Sequence, residues 1–154
     1  MWIVYRFYTL NYCQVNNTAT TDMKPPRDKE IFEDELAEYW METDELLCSV
    51  CKSNPRTLEA TKKSFELIEK ITQGKKVCLL SDTTAASQGS EKVREYSLTA
   101  TQRHFKAMAL ITSSSFSNLL VNMFMTISKH AIPMRLFKNE KEAREWITQH
   151  ELVS

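Results

Sequence analysis

Apolar and polar positions along the second half of the chain predict two strand–helix pairs. Apolar runs at 107–111 and Met134–Phe137 are followed by the stretches 115–129 and 141–150, whose apolar residues recur at helical spacing. Short apolar runs closed by polar residues are typical of strands buried in a parallel sheet, and apolar residues at intervals of three and four are typical of amphipathic helices. The pattern therefore predicts an α/β domain with parallel strands.

A β-hairpin and a helix are predicted upstream of these pairs. The runs 36–41 and Leu46–Cys51 are short and rich in apolar and aromatic residues. The polar tetrad 42–45 between them indicates a hairpin with a four-residue loop. Thr57 is then a suitable N-cap for a helix with an apolar stripe, and Gly74 can end that helix.

Two further elements complete the predicted order. The run 77–80 has the character of a buried strand, and Ser90 is a suitable N-cap for a helix that reaches about His104. The fold class is then α/β, with a mixed, mostly parallel sheet of about five strands and about four helices in the order β-β-α-β-α-β-α-β-α. Right-handed crossovers place helices on the faces of such a sheet.

Charge excludes some classes of partner. The 154 residues carry 20 Lys and Arg against 20 Asp and Glu, so no global field draws the chain to nucleic acid or to an anionic membrane. The charge is uneven, since the segment 30–45 holds eight acids and no base. These acids either form a solvated strand edge that discourages edge-to-edge pairing, or provide a docking face for a basic partner.

The cysteines do not predict a metal or redox site. Cys48 and Cys51 have the spacing of such a motif, but residues three apart in a strand point to opposite faces of the sheet. No second pair and no paired histidines complete a ligand set, so we expect no metal and no cofactor. Free thiols inside predicted strands make the reducing cytoplasm the expected location.

Residues 1–28 are predicted to be an extension that precedes the α/β domain at 29–154. The run 2–8 is apolar and aromatic, yet it lacks the basic start of a secretory signal and is too short to span a bilayer. Either Met23 is the functional start, or residues 1–22 form a weakly attached extension. If ordered, the run 2–8 would add a strand or pack on a partner subunit. We expect no membrane span in the chain.

Motifs of common enzyme chemistry do not occur in the sequence. The two glycines, Gly74 and Gly89, are too few for a phosphate-binding loop or a dinucleotide-binding turn, and there is no GxSxG or HExxH motif. We therefore expect that the chain is not an enzyme. If it were one, Asp82 with His104 would be the best candidate pair.

Polar side chains are predicted to converge at the carboxyl ends of two strands, where open α/β sheets bind ligands. Asp82, Thr83 and Thr84 follow one strand, and Ser114 lies in the serine cluster after the next. Helix amides after these loops could hold an anion or a phosphorylated side chain. Alternatively, these residues only cap helices and close turns.

A polar stripe runs along the most apolar predicted helix. Asn118, Asn122 and Thr126 recur every four residues, next to Met123 and Phe124. The stripe is either a thin solvent-facing strip, or a polar seam beside a pocket or a self-interface.

Four features of the sequence together resemble the small STAS-like, SpoIIAA-like domains of bacteria. They are the strand that ends in Asp82, the segment 122–124, the run 133–137 and Trp146. Those domains are related in fold to anti-sigma-factor antagonists and, more distantly, to CRAL-TRIO lipid-transfer domains. The resemblance covers residues from about 31 to 150 and implies a STAS-like fold.

The resemblance also implies a modification site. The antagonists carry a phosphorylatable Ser or Thr in an Asp-Ser-Ser-Gly-like turn, and Asp82-Thr83-Thr84-Ala85 is similar to it but lacks the glycine. Thr83 and Thr84 would then be phosphorylation sites. Phosphate charge at a helix start would act as a binding switch.

Ligand or partner binding is expected at seven polar residues of the sheet edge, the polar stripe and the last strand: Asp82, Thr83, Thr84, Ser114, Asn118, Asn122 and Arg135. Asn122 and Arg135 match the pattern of the family, whereas Asn118 stands where the relatives often carry an arginine. We expect a non-catalytic regulatory or scaffolding domain that binds a protein partner or a second copy of itself, as a homodimer. The alternative is a binding module for a small apolar or lipid-like ligand, with its pocket near Met123 and Phe124.

Overall fold

The computed structural model describes residues 23–112 and 132–151. These residues form six strands and three helices. In chain order the elements are β1 Phe32–Glu33, β2 Ala37–Thr43, β3 Leu46–Cys51, α1 Leu58–Ile71, β4 Val77–Asp82, α2 Glu91–His104, β5 Phe105–Ile111, β6 Met134–Phe137 and α3 Glu140–Glu151.

All six strands form one sheet in the order of the sequence, from β1 to β6. β1, β2 and β3 pair antiparallel, and β3, β4, β5 and β6 pair parallel. This confirms the predicted mixed, mostly parallel sheet. The expected number of five strands is too low by one, because β1 has two residues and is too short to show an apolar alternation. The fourth predicted helix, at 115–129, lies outside the described residues.

The hairpin turn is shorter than its predicted loop of residues 42–45. β2 continues to Thr43, so only Asp44 and Glu45 make the turn. The register between β2 and β3 shifts near this end, and such a bulge adds a residue to one strand without ending the pairing. Thr43 is a strand residue, and its polar side chain has a partner in α3: its Oγ1 donates to Glu151 Oε1 at 2.6 Å.

The predicted caps begin both helices on one face of the sheet. Thr57 Oγ1 accepts a hydrogen bond from Ala60 N–H at 3.1 Å, and Ser90 Oγ accepts one from Val93 N–H at 3.4 Å. α1 ends before Gly74 as predicted, and the φ of +74° at this residue is a left-handed conformation that glycine adopts without strain.

α2 continues directly into β5. The helix ends at His104 and the strand begins at Phe105, two residues earlier than predicted. Phe105 N–H still donates to Thr101 O in the last helical turn, so no separate loop is needed. None of the helices in the described ranges combines the length and the apolar character needed to cross a membrane.

The sheet separates two apolar cores. α3 covers the first, whose buried members include Met23, Trp40, Cys48, Leu80, Ile111, Ala143 and Ile147. α1 and α2 cover the second, whose buried members include Ala37, Tyr39, Leu47, Ile68, Leu79, Phe105 and Leu110. Met23 is 5% exposed, so the packed domain includes a residue from the segment 1–28 that the sequence assigns to an extension.

Candidate functional site

The carboxyl ends of β3, β4, β5 and β6 lie at one edge of the sheet, because these strands are parallel. This edge is formed by the loops after β3 and β4, residues 52–57 and 83–90, and by Thr112 after β5. We call these residues the rim. Open α/β sheets bind ligands at such an edge, and the rim is therefore the candidate functional site.

Asp82 organises the turn at the centre of the rim. It is the last residue of β4 and is 4% exposed. Its Oδ1 accepts hydrogen bonds from Thr84 N–H at 2.9 Å and from Thr84 Oγ1 at 2.6 Å. Ala86 N–H donates to Thr83 O at 3.0 Å. These bonds give the turn one defined shape before any ligand is bound.

The turn does not need the glycine that the family pattern has. Among the residues that the structure describes, positive φ angles occur at Gln73 and Gly74. Ala85 therefore has a backbone conformation that any residue can adopt. The departure from the Asp-Ser-Ser-Gly pattern leaves the turn unstrained at this position.

Thr83 ties the turn to the neighbouring strand. Its backbone N–H and its Oγ1 both donate to Ile111 O, each at 2.8 Å. The described start of the segment after β5, Thr112, therefore lies beside the Asp82 turn, as the predicted common edge requires. Ser114 lies outside the described residues.

Thr84 is the more exposed of the two threonines expected as phosphorylation sites. Thr83 is 8% exposed, and its hydroxyl is held by a backbone carbonyl. The Thr84 side chain is partly exposed, but its hydroxyl donates to Asp82. A phosphate on Thr84 would lie against a carboxylate of the same charge. Phosphorylation of either residue would therefore open the turn.

The two loops of the rim are joined to each other and to the segment between β1 and β2. Ser87 Oγ donates to Ser53 O at 2.9 Å, which connects the loop after β4 to the loop after β3. Asn54 Nδ2 donates to Glu35 O at 2.7 Å. The rim is thus one connected surface.

A polar cluster lies beneath the rim, on the face covered by α1 and α2. Ser49 and Ser81 are paired across β3 and β4, and their hydroxyl oxygens are 2.8 Å apart. Cys51 Sγ lies 3.8 Å from Ser81 Oγ and 3.9 Å from Arg56 Nη2. We call Ser49, Cys51, Arg56 and Ser81 the sub-rim cluster.

The sub-rim cluster is suited to holding strand ends together. Burial is the largest influence on the Cys51 thiol and raises its pKa, although the Arg56 guanidinium and the Ser81 hydroxyl act in the opposite direction. A thiol that keeps its proton is a weak nucleophile. The sequence did not reveal this cluster, because the cluster depends on the register between β3 and β4. The feature of the sequence that could have indicated the cluster is a single serine in each of two apolar strands, Ser49 in β3 and Ser81 in β4.

Half of the acids in the segment 30–45 have partners within the domain. Internal partners are found for four of its eight acids: Glu33 with Lys52, Asp34 with Ser64, Glu42 with Arg144 and Glu45 with Lys106. Tyr39 OH also donates to Asp34 Oδ2 at 3.3 Å. Burial, followed by the Asp34 charge, raises the pKa of the Tyr39 phenol. Four acids are thus held by local contacts, and the contacts do not decide between the two interpretations of the segment.

Arg135 lies apart from the Asp82 turn. It is exposed in β6, with its guanidinium carbon 5.4 Å from the Phe137 ring centroid, and β5 separates β6 from β4. Asn118 and Asn122 lie outside the described residues, as does the apolar pocket expected on the same helix. The structure therefore brings together Asp82, Thr83 and Thr84 among the predicted site residues.

The candidate pair of Asp82 with His104 is wrong. Phe105, the residue after His104, pairs with Val77 at the start of β4, whereas Asp82 is the last residue of that strand. Five residues of strand separate the two positions by about 17 Å. The two side chains lie at opposite ends of the sheet and cannot share a proton.

The prediction that Cys48 and Cys51 point to opposite faces is confirmed. Cys48 belongs to the core under α3, and Cys51 packs against the core under α1 and α2. Burial raises the pKa of the Cys48 thiol to about 12. In residues 23–112 and 132–151, no group of three or more His, Cys, Asp or Glu side chains is arranged to hold a metal ion.

An apolar groove lies at the other end of the sheet from the rim. Its volume is about 410 Å³, and Phe32, Met41, Leu67 and Ile71 form its apolar walls. It lies between the β1–β2 edge and the last turns of α1. Glu30, Lys70 and Gln73 also line it.

Comparison with known proteins finds a family model and a solved structure. Residues 39–151 match the model described as a domain of unknown function, DUF7793. No curated protein matches the sequence. A solved structure of an uncharacterised protein from the DUF3478 family, with a SpoIIAA-like fold, from Shewanella loihica PV-4, is 17% identical, with a TM-score of 0.48. The match covers 81% of this chain and 98% of that chain.

Proposed function

The chain belongs to the DUF7793 family, a domain of unknown function, and we propose that it is a non-catalytic regulatory or scaffolding domain that binds a protein partner through its rim. The partner is a second copy of the chain, giving a homodimer, or another protein. The shape of the Asp82–Ala86 turn is the observation that carries the proposal.

A loop that is ordered before binding loses little conformational entropy when it docks. The turn is fixed by the two bonds from Thr84 to Asp82 and by the two from Thr83 to Ile111. Ala85, at its tip, is exposed. Rigid backbone with a small exposed tip is a suitable surface for a flat protein partner.

A matched pair of surface variants tests this proposal. Ala85→Arg places a charged side chain on the rim, and Gln149→Arg adds a similar side chain to an exposed position on α3. Native mass spectrometry of purified protein measures self-association, and crosslinking in cells of the source organism followed by mass spectrometry identifies other partners. We expect Ala85→Arg to abolish the association that Gln149→Arg retains.

Two results would count against partner binding through the rim. One is a strict monomer that crosslinks to no protein. The other is an association that both variants retain equally, which would place the interface elsewhere.

The expected location of the domain follows from its thiols. Cys48, Cys51 and Cys78 are all free, which is typical of a reducing compartment. We propose the bacterial cytoplasm, in keeping with the bacterial domains that the sequence resembles.

A second candidate function, binding of a small apolar ligand, is favoured by the groove at the other end of the sheet. Its volume of about 410 Å³ is within the range of pockets that hold small molecules. Extraction of the purified protein with organic solvent, followed by mass spectrometry, should recover an apolar compound that a Leu67→Asp variant no longer carries. An empty extract from the unmodified protein would contradict this function.

A further inference from the structure

The interface between α1 and α2 contains a buried imidazole. His104 is the last residue of α2 and is 7% exposed. Its ring stacks on Phe65 of α1, with ring centroids 5.6 Å apart and an interplanar angle of 28°, and it contacts the Phe105 ring at 6.5 Å. Phe65 also meets Tyr96 edge-on at 5.9 Å. Within this aromatic cluster, His104 is the side chain whose ordinary titration lies near neutral pH.

Four charged groups lie around the cluster, and one of them, Lys62, lies over its Tyr96 ring. Glu69 of α1 and Arg103 of α2 form an ion pair at 3.1 Å, and both are well exposed. Lys62 of α1 lies 5.8 Å from the Tyr96 ring centroid. On β5, Lys106 pairs with Glu45 of the hairpin turn. A positive charge on His104 would therefore form on a ring packed against Phe65 and Phe105, with the nearby Glu69 carboxylate already paired with Arg103.

We propose that His104 is an acid-sensitive latch between α1 and α2, which holds the two helices together when the imidazole is neutral and releases α2 when it is protonated. Moving a charge into a site that is 7% exposed is unfavourable unless the charge gains a partner. Release of α2 exposes the ring to water and removes that cost.

The direction of the pH effect follows from the titration of the ring. Burial lowers the pKa of His104, with Glu69 acting to raise it and Arg103 acting to lower it further. The folded chain therefore binds this proton less readily than the unfolded chain. The contribution of the latch is fully present above about pH 6.5 and is lost as the pH falls from there through the folded-state pKa.

The latch is connected to the rim by the chain itself. α2 begins at Glu91, directly after the rim loop 83–90 and its cap Ser90. Acid release of α2 would therefore also loosen that loop. The latch does not depend on what the rim binds, so it can be tested even if the rim has no protein partner.

Hydrogen exchange of the full chain at pH 7.5 and pH 5.5, corrected for intrinsic exchange rates, tests the latch. We expect peptides from 91–104 to lose protection in acid, by at most about tenfold per pH unit, the limit for one proton. Peptides from 140–151 should keep their protection. His104→Gln should abolish the acid response, and His150→Gln, on α3, should leave it unchanged.

Two outcomes would overturn the latch. One is equal protection of 91–104 at both pH values in the unmodified protein, and the other is a His104→Gln variant that retains the full acid response. If His104→Gln does not fold, the NMR titration of His104 in the unmodified protein decides. A midpoint below that of the unfolded chain supports the latch, and a midpoint at or above it contradicts the latch.

Discussion

Asp82 shows how one buried carboxylate defines a loop in place of a glycine. Its Oδ1 accepts the N–H and the hydroxyl of Thr84, which gives two hydrogen bonds to one oxygen of a carboxylate in a residue that is 4% exposed. Hydrogen bonds to a charged acceptor are stronger than those between neutral groups. At the scale of residues, Asp82 therefore acts as the anchor of the rim.

Asp82→Ala should lower the free energy of unfolding by about 1–3 kcal/mol, because two hydrogen bonds to a charged acceptor are lost. Thr84→Val should cost less, about 0.5–1.5 kcal/mol, because the bond from the Thr84 N–H to Asp82 remains. Urea unfolding of the two variants measures both values. A neutral Asp82→Ala variant would show that the carboxylate does not anchor the turn.

The start of α2 shows how close packing constrains an element. A Cβ added at Gly89 would lie 2.8 Å from Val93 Cβ and closer still to Val93 Cγ1. Val93 is 3% exposed, and a β-branched side chain has few alternative rotamers in a helix. Gly89 is therefore required for space at the entry to the helix.

Gly89→Ala should destabilise the fold by about 1–3 kcal/mol, the usual cost of overpacking. The same change made in a Val93→Ala background should cost less but not become neutral, because the methyl groups are gone while the Cβ at 2.8 Å remains. A double-mutant cycle followed by chemical denaturation measures the difference. Strict additivity of the two substitutions would contradict the proposed contact.

The elements that the sequence predicted well are those with a strong apolar pattern. The bounds of β6 match the predicted run at Met134–Phe137, and the caps at Thr57 and Ser90 lie where the predicted helices begin. β1 was missed because it has only two residues, too few to show the alternation of apolar and polar positions that predicts a strand. The hairpin loop was predicted too long because a polar residue, Thr43, ends β2. Its hydroxyl bonds to Glu151 of α3, a tertiary contact that the local pattern does not show.

At the scale of the whole molecule, the sheet has one apolar core on each of its two faces. α1 and α2 cover one face, and α3 covers the other together with Met23. Ala143 and Ile147 of α3 are both 0% exposed. The C-terminal helix is thus an integral part of the domain.

Ile147→Ala should lower the free energy of unfolding by about 2–5 kcal/mol, because it leaves a cavity under α3. Gln149→Ala, at an exposed position two residues further along the same helix, should change it by less than about 0.5 kcal/mol. Thermal and urea unfolding compare the pair. Equal effects would mean that α3 does not pack as described.

The candidate site was predicted only in part, and the reason is register. The carboxyl edge and the Asp82–Thr84 turn follow from the order of strands, which the apolar pattern predicts. The sub-rim cluster depends on Ser49 lying opposite Ser81, a register that residue spacing along a single chain does not reveal. The separation of Asp82 from His104 does follow from the predicted order, because parallel strands place the end of β4 and the start of β5 at opposite edges of the sheet.

The central claim is that the rim has its shape before any partner binds. NMR relaxation of the backbone amides of Thr83, Thr84 and Ala86 in the isolated protein tests it most directly. Because all three N–H groups are hydrogen-bonded, we expect order parameters near those of rigid backbone, about 0.85. Values below about 0.6 would show a flexible loop and would contradict the claim.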